Sequence, residues 1–552
     1  MSSEARDGSA RAIRAGALGR VGGALLWTAP TAFAVYAPLA LLAANIGHIP
    51  PEVALRSVAF SLTLGIAVTA AVALLVRSKE SAIVLASGAV LAFFSYGHIY
   101  DSLRGWDPAA AIARHRFLVP LAGVFFLLLV YILLRRPRLA QPLARWLTAF
   151  AWVLLAFPLL AIIQDQAQRA ADPAGMDTTG GTVPDPIDGI PPDVFYIILD
   201  GYGRQDVLAD SYGYDNDAFL DFLTSRGFEV ADQAMSNYSQ TLLSLASSLN
   251  MDYLDEVLGG AGLDPSAHRP LGDEILDNRL FDTFRRLGYS TTAFETGYYP
   301  TELTSADHYL APENDPRSRG LSGASAAGLN EFEGIFLQTT MASAPFDLYA
   351  RGFGGWGSDL IERGYDEHRA RVLFTLSSLS EIAGQAEPEF VFAHVVSPHP
   401  PFVFGPEGER IPHDSFYTMS GDECCERDDY AERYVGQMTY LNQVLMAEID
   451  EILKVSGGNA IIILQGDHGP GGFLDWENPS PSAMHDRMAI LLAAHLPGSA
   501  AGTLYPSVTP VNLFRLILDR TFGGGPGLLE DVSYFSAGEG ISNAIRVDPS
   551  GG

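Results

Sequence analysis

Cysteine is almost missing from this chain: there are two, Cys424 and Cys425, and they are adjacent. That count excludes a disulfide framework, and a cysteine-built metal cluster lacks the further thiols or spaced pairs it needs. Two neighbours can bond to each other or stay free, and the sequence assigns them no function. Positive charge is the second scarcity, with 35 Lys and Arg against 64 Asp and Glu and a formal net charge of −29. Nucleic acid is thereby excluded as a partner, because phosphate backbones bind basic patches. The acidic balance reads first as plain solubility, and it also suits a site that recruits a cation. Internal repeats are absent, and low complexity is confined to one linker.

What is present divides into two regimes. Roughly the first 165 residues are dominated by Ala, Leu, Val and Phe, and most of their charges are arginines; most of the acid lies beyond them. Apolar stretches near 24–46, 56–76, 81–100, 117–134 and 146–164 each approach the length a spanning helix needs. Arg6, Arg11, Arg14 and Arg20 precede the first span. Arg77 and Lys79 follow the second, and Arg135, Arg136, Arg138 and Arg145 follow the fourth. The alternate loops hold fewer cations, so the N-terminus is expected in the cytoplasm and everything after the fifth span outside it. The expected organisation is a five-helix transmembrane region over 1–164, a Gly-, Pro-, Asp- and Thr-rich linker over 165–191, and an extracytoplasmic domain over 192–552.

In the outer domain, Val194-Phe-Tyr-Ile-Ile-Leu199 is a continuous apolar run rich in β-formers, the pattern of a strand buried on both faces. Phe390–Val396, Ala460–Leu464 and Met488–Ala493 are similar. Helical patterns lie between them at Asp217–Arg226, Asp277–Leu287, Asp366–Ala383 and Tyr430–Val455. The alternation predicts an α/β fold with a central, mostly parallel sheet. Three runs end in chemically capable residues: Asp200-Gly-Tyr-Gly-Arg204, Ser397-Pro-His399-Pro-Pro, and Gln465-Gly-Asp467-His468-Gly469. Ligands of open α/β sheets sit beyond the carboxyl ends of the strands, where such distant residues can converge.

Asp200, Asp467, His468 and one hydroxyl make four N/O ligands for a single divalent ion. Zinc or manganese suits that set, whereas magnesium prefers more oxygens and water. Taken alone, Asp467 reads equally as a helix cap and His468 as a turn residue. The hydroxyl is sought in Ser236–Asn250, which reads as a loop entering a helix near Thr241. A threonine there can cap the helix. It can also act as a nucleophile, since the positive helix end favours an alkoxide and a bound phosphate. Ser239 and Ser244 are rivals by composition. His394, His399 and His485 lie near strand ends, and imidazoles there can hold phosphoryl oxygens or protonate a leaving alkoxide.

Together these residues resemble the alkaline phosphatase/sulfatase superfamily, and within it the lipoteichoic acid synthases and lipid A phosphoethanolamine transferases. The resemblance covers the order of spans and motifs to about Ile517. It implies an N-terminal membrane region followed by an alkaline-phosphatase-like α/β sandwich. It implies one metal on Asp200, Thr241, Asp467 and His468, although Asp200 stands where the transferases often have Glu. Thr241-Leu-Leu-Ser-Leu-Ala-Ser-Ser is similar to the transferase nucleophile pattern and selects Thr241 over Ser239 and Ser244. His399 is similar to a substrate-phosphate histidine of those families and His485 to another histidine shortly after the Asp-His pair, which implies catalytic roles for both; His394 is matched less closely, as a substrate-binding residue. Three features depart. The Cys/Ser-x-Pro-x-Arg motif of true sulfatases is missing. The His and Trp-Asn-Arg segment of lipoteichoic acid synthases is not reproduced in Phe294-Glu-Thr296 or Thr304–His308. No second Asp-x-x-x-His metal set is placed as a two-metal phosphatase requires.

The resulting expectation is a metal-dependent phosphoryl-type transferase anchored in the cytoplasmic membrane. It would move a phospholipid head group from a membrane lipid donor onto an envelope glycan or lipid acceptor, through a Thr241 adduct. A phosphate- or sulfate-ester hydrolase is the alternative within the superfamily. A catalytically silent envelope scaffold or receptor is the alternative of another class.

Overall fold

The computed structural model describes residues 24–46, 49–104, 106, 113–171, 191–259, 268–312, 330–344, 356–385, 387–413, 417–419, 421–425, 427–537 and 544–547. The chain divides into two compact units. The first holds Met1–Met176 with Ser322–Arg363 and His413–Thr418; the second holds Asp177–Leu321, Gly364–Pro412 and Met419–Gly552. The expected linker differs at its start: the last apolar helix continues to Ala171. The rest of that linker through Ile190, and the arginines before the first span, lie outside the described residues.

The first unit is helical. Among the described residues, five helices are long and apolar enough to cross a membrane: Leu26–Ala44, Pro51–Leu75, Lys79–Arg104, His115–Arg135 and Pro137–Ala167. Large apolar side chains such as Leu74, Phe125, Leu127, Trp146 and Phe157 point outward, which a bilayer tolerates and water does not. Small residues and aromatics face inward, with Ala32, Ala34, Phe33 and Phe94 in one cluster. That cluster also contains Phe332 and Phe336. Both come from the short helix Glu331–Gln338, which starts with a full capping box from Asn330 to Glu333. Arg56 pairs with Glu333 at 2.9 Å. The backbone of the same segment bonds to the third span, Gly97 N–H to Thr339 O at 3.0 Å and Met341 N–H to Phe93 O at 2.8 Å. A side chain at Gly97 would collide with the backbone of Gln338 and Thr339, so glycine permits the approach. Sequence reasoning kept 322–363 with the outer domain, because a lone amphipathic helix does not declare which core takes its apolar face.

The second unit is built on a seven-stranded mixed sheet. Its strands, in chain order, are β1 Val194–Leu199, β2 Phe228–Val230, β3 Ser290–Phe294, β4 His308–Leu310, β5 Glu389–Val395, β6 Ile461–Gly466 and β7 Leu492–His495. The spatial order is β2-β7-β6-β1-β5-β3-β4. The five strands from β6 to β4 run parallel; β7 is antiparallel to both β6 and β2. The expected run Met488–Ala493 resolves differently: Met488 ends the helix Pro481–Met488, and the strand starts at Leu492. A hairpin, β8 Ser533–Phe535 with β9 Ile545–Val547, completes the described strands.

The central strand explains its own sequence. Every residue of β1 is fully buried, because β5 and β6 flank it and both faces are covered. Val194, Tyr196 and Ile198 join one core with Phe281, Phe284, Phe390 and Phe514. Phe284 stacks on Phe390 with ring centroids 4.2 Å apart. Register then sets the chemistry. Leu199 lies opposite Val395 on one side and Gly466 on the other. The next residues, Asp200 and Asp467, therefore leave neighbouring strands side by side, one strand spacing apart.

Replacing Phe390 by Ala removes the ring from the centre of this core. The expected loss is about 3–5 kcal/mol of stability, read from near-UV circular dichroism melting of the full chain in detergent. A change under about 1 kcal/mol contradicts the packing described.

Candidate active site

The strand ends open into a cavity of about 440 Å³ lined by Asp200, Thr241, His399, Asp422, His468, Trp476 and Arg487, among others. Asp467, next to the lining residue His468, is fully buried. One carboxylate oxygen of Asp467, Oδ1, accepts from the backbone N–H groups of Gly201 at 3.0 Å and of His468 at 2.9 Å. Its other oxygen, Oδ2, has no hydrogen-bond partner, and neither do Asp200 Oδ1 and His394 Nε2. Such atoms are rare in a folded interior. Asp200, His394 and Asp467 can offer donor atoms within 4.8 Å of one another, and so can Asp200, His399 and His468. Buried, unpaired, converging N and O atoms of two carboxylates and several imidazoles fit a divalent cation.

The histidine tautomers agree with that fit. His468 Nδ1 lies 2.9 Å from Gly469 O and His399 Nδ1 lies 2.6 Å from Pro400 O. A carbonyl only accepts, so each Nδ1 carries the proton and each Nε2 keeps its lone pair. His394 Nδ1 meets Thr301 Oγ1 at 2.9 Å, while its Nε2 stands 3.4 Å from Asp200 Oδ2. Orienting contacts of this kind are typical of imidazoles that serve a metal. Burial alone would raise the pKa of Asp200, but His399, His394 and His468 outweigh it and hold the carboxyl well below the usual range. Burial, then Arg487, lowers the pKa of His468, which favours the neutral imidazole a cation requires.

Thr241 opens the helix Thr241–Asn250 after Gln240, whose extended backbone breaks the helical run. Its hydroxyl lies 3.1 Å from His468 Nε2. The neighbouring hydroxyls are committed elsewhere. Ser239 Oγ donates to Ser536 O at 2.9 Å, and Ser244 Oγ meets Ser236 Oγ at 3.1 Å. Both serines are buried and do not line the cavity.

The structure thus brings together Asp200, Thr241, His394, His399, Asp467 and His468. It does not bring His485 to the cavity. His485 Nε2 meets Arg204 Nη2 at 3.2 Å, and Arg487, two residues on, lines the cavity instead. Arg487 and its ion-pair partner Asp422, 2.9 Å away, were not singled out from sequence. Asp422 lies in an acidic stretch beside the cysteines, which are bonded to each other, and nothing local marks it. His394 does carry a signal: it sits inside an otherwise apolar strand, opposite Ile198 of β1.

Comparison with known proteins adds the family. A family model described as Sulfatase matches residues 192–519. The C-terminal periplasmic domain of EptC from Escherichia coli, solved in complex with Zn, is similar at 12% identity and a TM-score of 0.39, over 67% of this chain and 96% of that one. The soluble domain of lipooligosaccharide phosphoethanolamine transferase A from Neisseria meningitidis is similar at 11% identity and a TM-score of 0.33, over 61% and 90%. A phosphonate monoester hydrolase of Agrobacterium radiobacter is similar at 18% identity and a TM-score of 0.37, over 62% and 80%. No curated protein matches the chain.

If the orphaned donors hold a cation, Asp467→Asn should lower metal affinity by at least about tenfold. Elemental analysis of the purified protein against zinc and manganese titrations reads this. Unchanged metal content contradicts the site.

Proposed function

The chain belongs to the sulfatase family, and from that premise we propose that it is a metal-dependent phosphoryl-type transferase with Thr241 as its nucleophile. The observation that carries this reading is the placement of the Thr241 hydroxyl. It faces the cavity at a helix N-terminus, 3.1 Å from His468 Nε2 and beside the unpaired donors of Asp200, Asp467 and His394. A threonine at this position, with neither Cys nor Ser to mature to formylglycine, favours phosphoryl over sulfate esters.

Asp200, Asp467, His468 and Thr241 would hold the cation, with His394 a further donor. A divalent cation there lowers the pKa of a hydroxyl it touches and offsets phosphoryl charge. The protein's own groups do the rest. The start of helix Thr241–Asn250 presents backbone N–H groups and a positive dipole end, both favourable to a phosphoryl group on Oγ1. Thr241 loses its proton to solvent, its oxygen bonds to phosphorus, and the bond from phosphorus to the leaving alkoxide breaks. The leaving alkoxide is protonated through His399, at the cavity wall, whose Nε2 takes up a proton from solvent and passes it on. An acceptor hydroxyl then attacks phosphorus and gives up its proton, the bond from phosphorus to Oγ1 breaks, and Oγ1 takes a proton, which restores Thr241.

The substrate in this reading is a phospholipid, whose head group passes to an envelope glycan or lipid. Five helices able to cross a membrane among the described residues support it, since tethering beside a lipid donor raises its effective concentration. The cation excess before the first span and after the second and fourth supports a placement of the sulfatase-family unit outside the cytoplasmic membrane.

Thr241→Ala should abolish turnover of a phosphodiester while metal content stays near wild type. After exposure to native membranes, mass spectrometry of the peptide spanning 236–250 should find the head-group phosphate on Thr241 of the wild type. Full activity in the variant rejects this nucleophile. Free head group as the sole product, with no modified acceptor, assigns hydrolysis instead.

A further inference from the structure

Arg487 is a buried cation, about 4% exposed, whose donors can be followed one by one. Nε–H donates to Ser239 O at 2.8 Å. Nη1 donates to Asp422 Oδ2 at 2.9 Å and to Gly469 O at 3.1 Å. Nη2 lies 3.1 Å from His468 Nε2. Of five N–H bonds, three go to oxygen acceptors, and the two on Nη2, which a cation on His468 Nε2 would leave without that acceptor, belong to a side chain that lines the cavity. The Thr241 hydroxyl contacts the same His468 nitrogen, also at 3.1 Å. Nη2 and the proposed nucleophile are therefore within about two hydrogen-bond lengths of each other. A phosphoryl group bonded to Thr241 fills that interval with oxygens.

The guanidinium is held in place by a second buried charge. Asp422 gives Oδ2 to Arg487, and its Oδ1 accepts from Tyr430 O–H at 2.9 Å. Its third side is closed by the loop after His468: a Cβ at Gly471 would collide with the Asp422 carboxylate. Trp476 covers the guanidinium, with its ring centroid 5.1 Å from Arg487 Cζ. Burying an ion pair is costly, and apolar side chains of similar volume often stabilise as well or better. A merely structural role is thus a poor use of this pair. A fixed cation beside a nucleophile, aimed where negative charge gathers, has the form of transition-state stabilisation.

We propose that Arg487 is a catalytic residue that binds a non-bridging phosphoryl oxygen through Nη2, and that Asp422 is the positioning residue that aims it. The inference rests on the phosphoryl-transfer reading given above. In it, the loop around Asp422 fixes the direction of a charge supplied by a distant helix end.

The test is a double-mutant cycle on the full, metal-loaded chain in detergent, with a chromogenic phosphodiester as substrate and inorganic phosphate as competing anion. Arg487→Gln should lower kcat/KM by about 10²–10³-fold and weaken phosphate inhibition, with metal content unchanged. Asp422→Asn should lower kcat/KM by about tenfold and weaken phosphate inhibition in the same sense. In the Arg487→Gln background, Asp422→Asn should cost less than about twofold more, because the two act as one unit. Gly471→Ala, which displaces the Asp422 carboxylate and leaves both charges, should resemble Asp422→Asn. Arg487→Gln with near wild-type kcat/KM overturns the proposal, as does an Asp422→Asn cost equal in both backgrounds. If Arg487→Gln does not fold, Asp422→Asn decides: unchanged phosphate inhibition overturns the proposal. Thr241→Ala is the separating control. Inactive Thr241→Ala with active Arg487→Gln sinks this inference alone, whereas active Thr241→Ala sinks the phosphoryl-transfer reading beneath it.

Discussion

Two buried carboxylates, Asp200 and Asp467, leave adjacent parallel strands in register, and the site answers to that one fact. Unit charges about 4 Å apart repel by about 4 kcal/mol at an effective dielectric of about 20, before any cost of burial. Two backbone N–H groups satisfy one oxygen of Asp467, and no hydrogen bond satisfies its other oxygen or Oδ1 of Asp200. Imidazoles fill the remaining sides with their lone pairs turned inward. A cation would resolve the conflict, and it would make a hydroxyl at a helix start a usable nucleophile. The sheet register brings the two carboxylates together, and the histidine tautomers and the position of Thr241 fit a cation between them.

The helical unit meets a different constraint. Helices whose exposed faces are Leu, Phe and Trp need an apolar solvent, and their inward faces need close contact through small residues. The segment from Asn330 to Ala344 is drawn into this packing through Phe332, Phe336 and the Arg56–Glu333 pair. A stretch that follows the first half of the sheet in sequence thus packs with helices encoded before it.

Much of the fold was legible in the sequence, and the reason is local. The runs at Val194–Leu199, Phe390–Val396 and Ala460–Leu464 are short, continuous, apolar and rich in β-formers, which suits a doubly covered strand, and the strands fall there within a residue or two. The polar turns that end those runs could be read as one locus because parallel strands deliver their ends to one edge. The choice between His485 and Arg487 was not legible. Both lie at the end of Pro481–Met488, and a rotation of two residues decides which side chain enters the cavity. Asp422 was hidden for a related cause: its partners, Arg487 and Tyr430, lie on other elements, and no local pattern announces an ion pair formed across the fold. Glu331–Gln338 was hidden because an amphipathic helix states that it has an apolar face, not which core receives it.

The central claim is that one divalent ion joins Asp200, Asp467 and His468 to the hydroxyl of Thr241. The most direct measurement is anomalous diffraction from crystals of the protein loaded with zinc or manganese. The account predicts a single strong peak about 2.0–2.2 Å from ligand atoms of Asp200, Asp467 and His468, with Thr241 Oγ1 completing the shell. A peak elsewhere, or a shell from which Thr241 is absent, contradicts it.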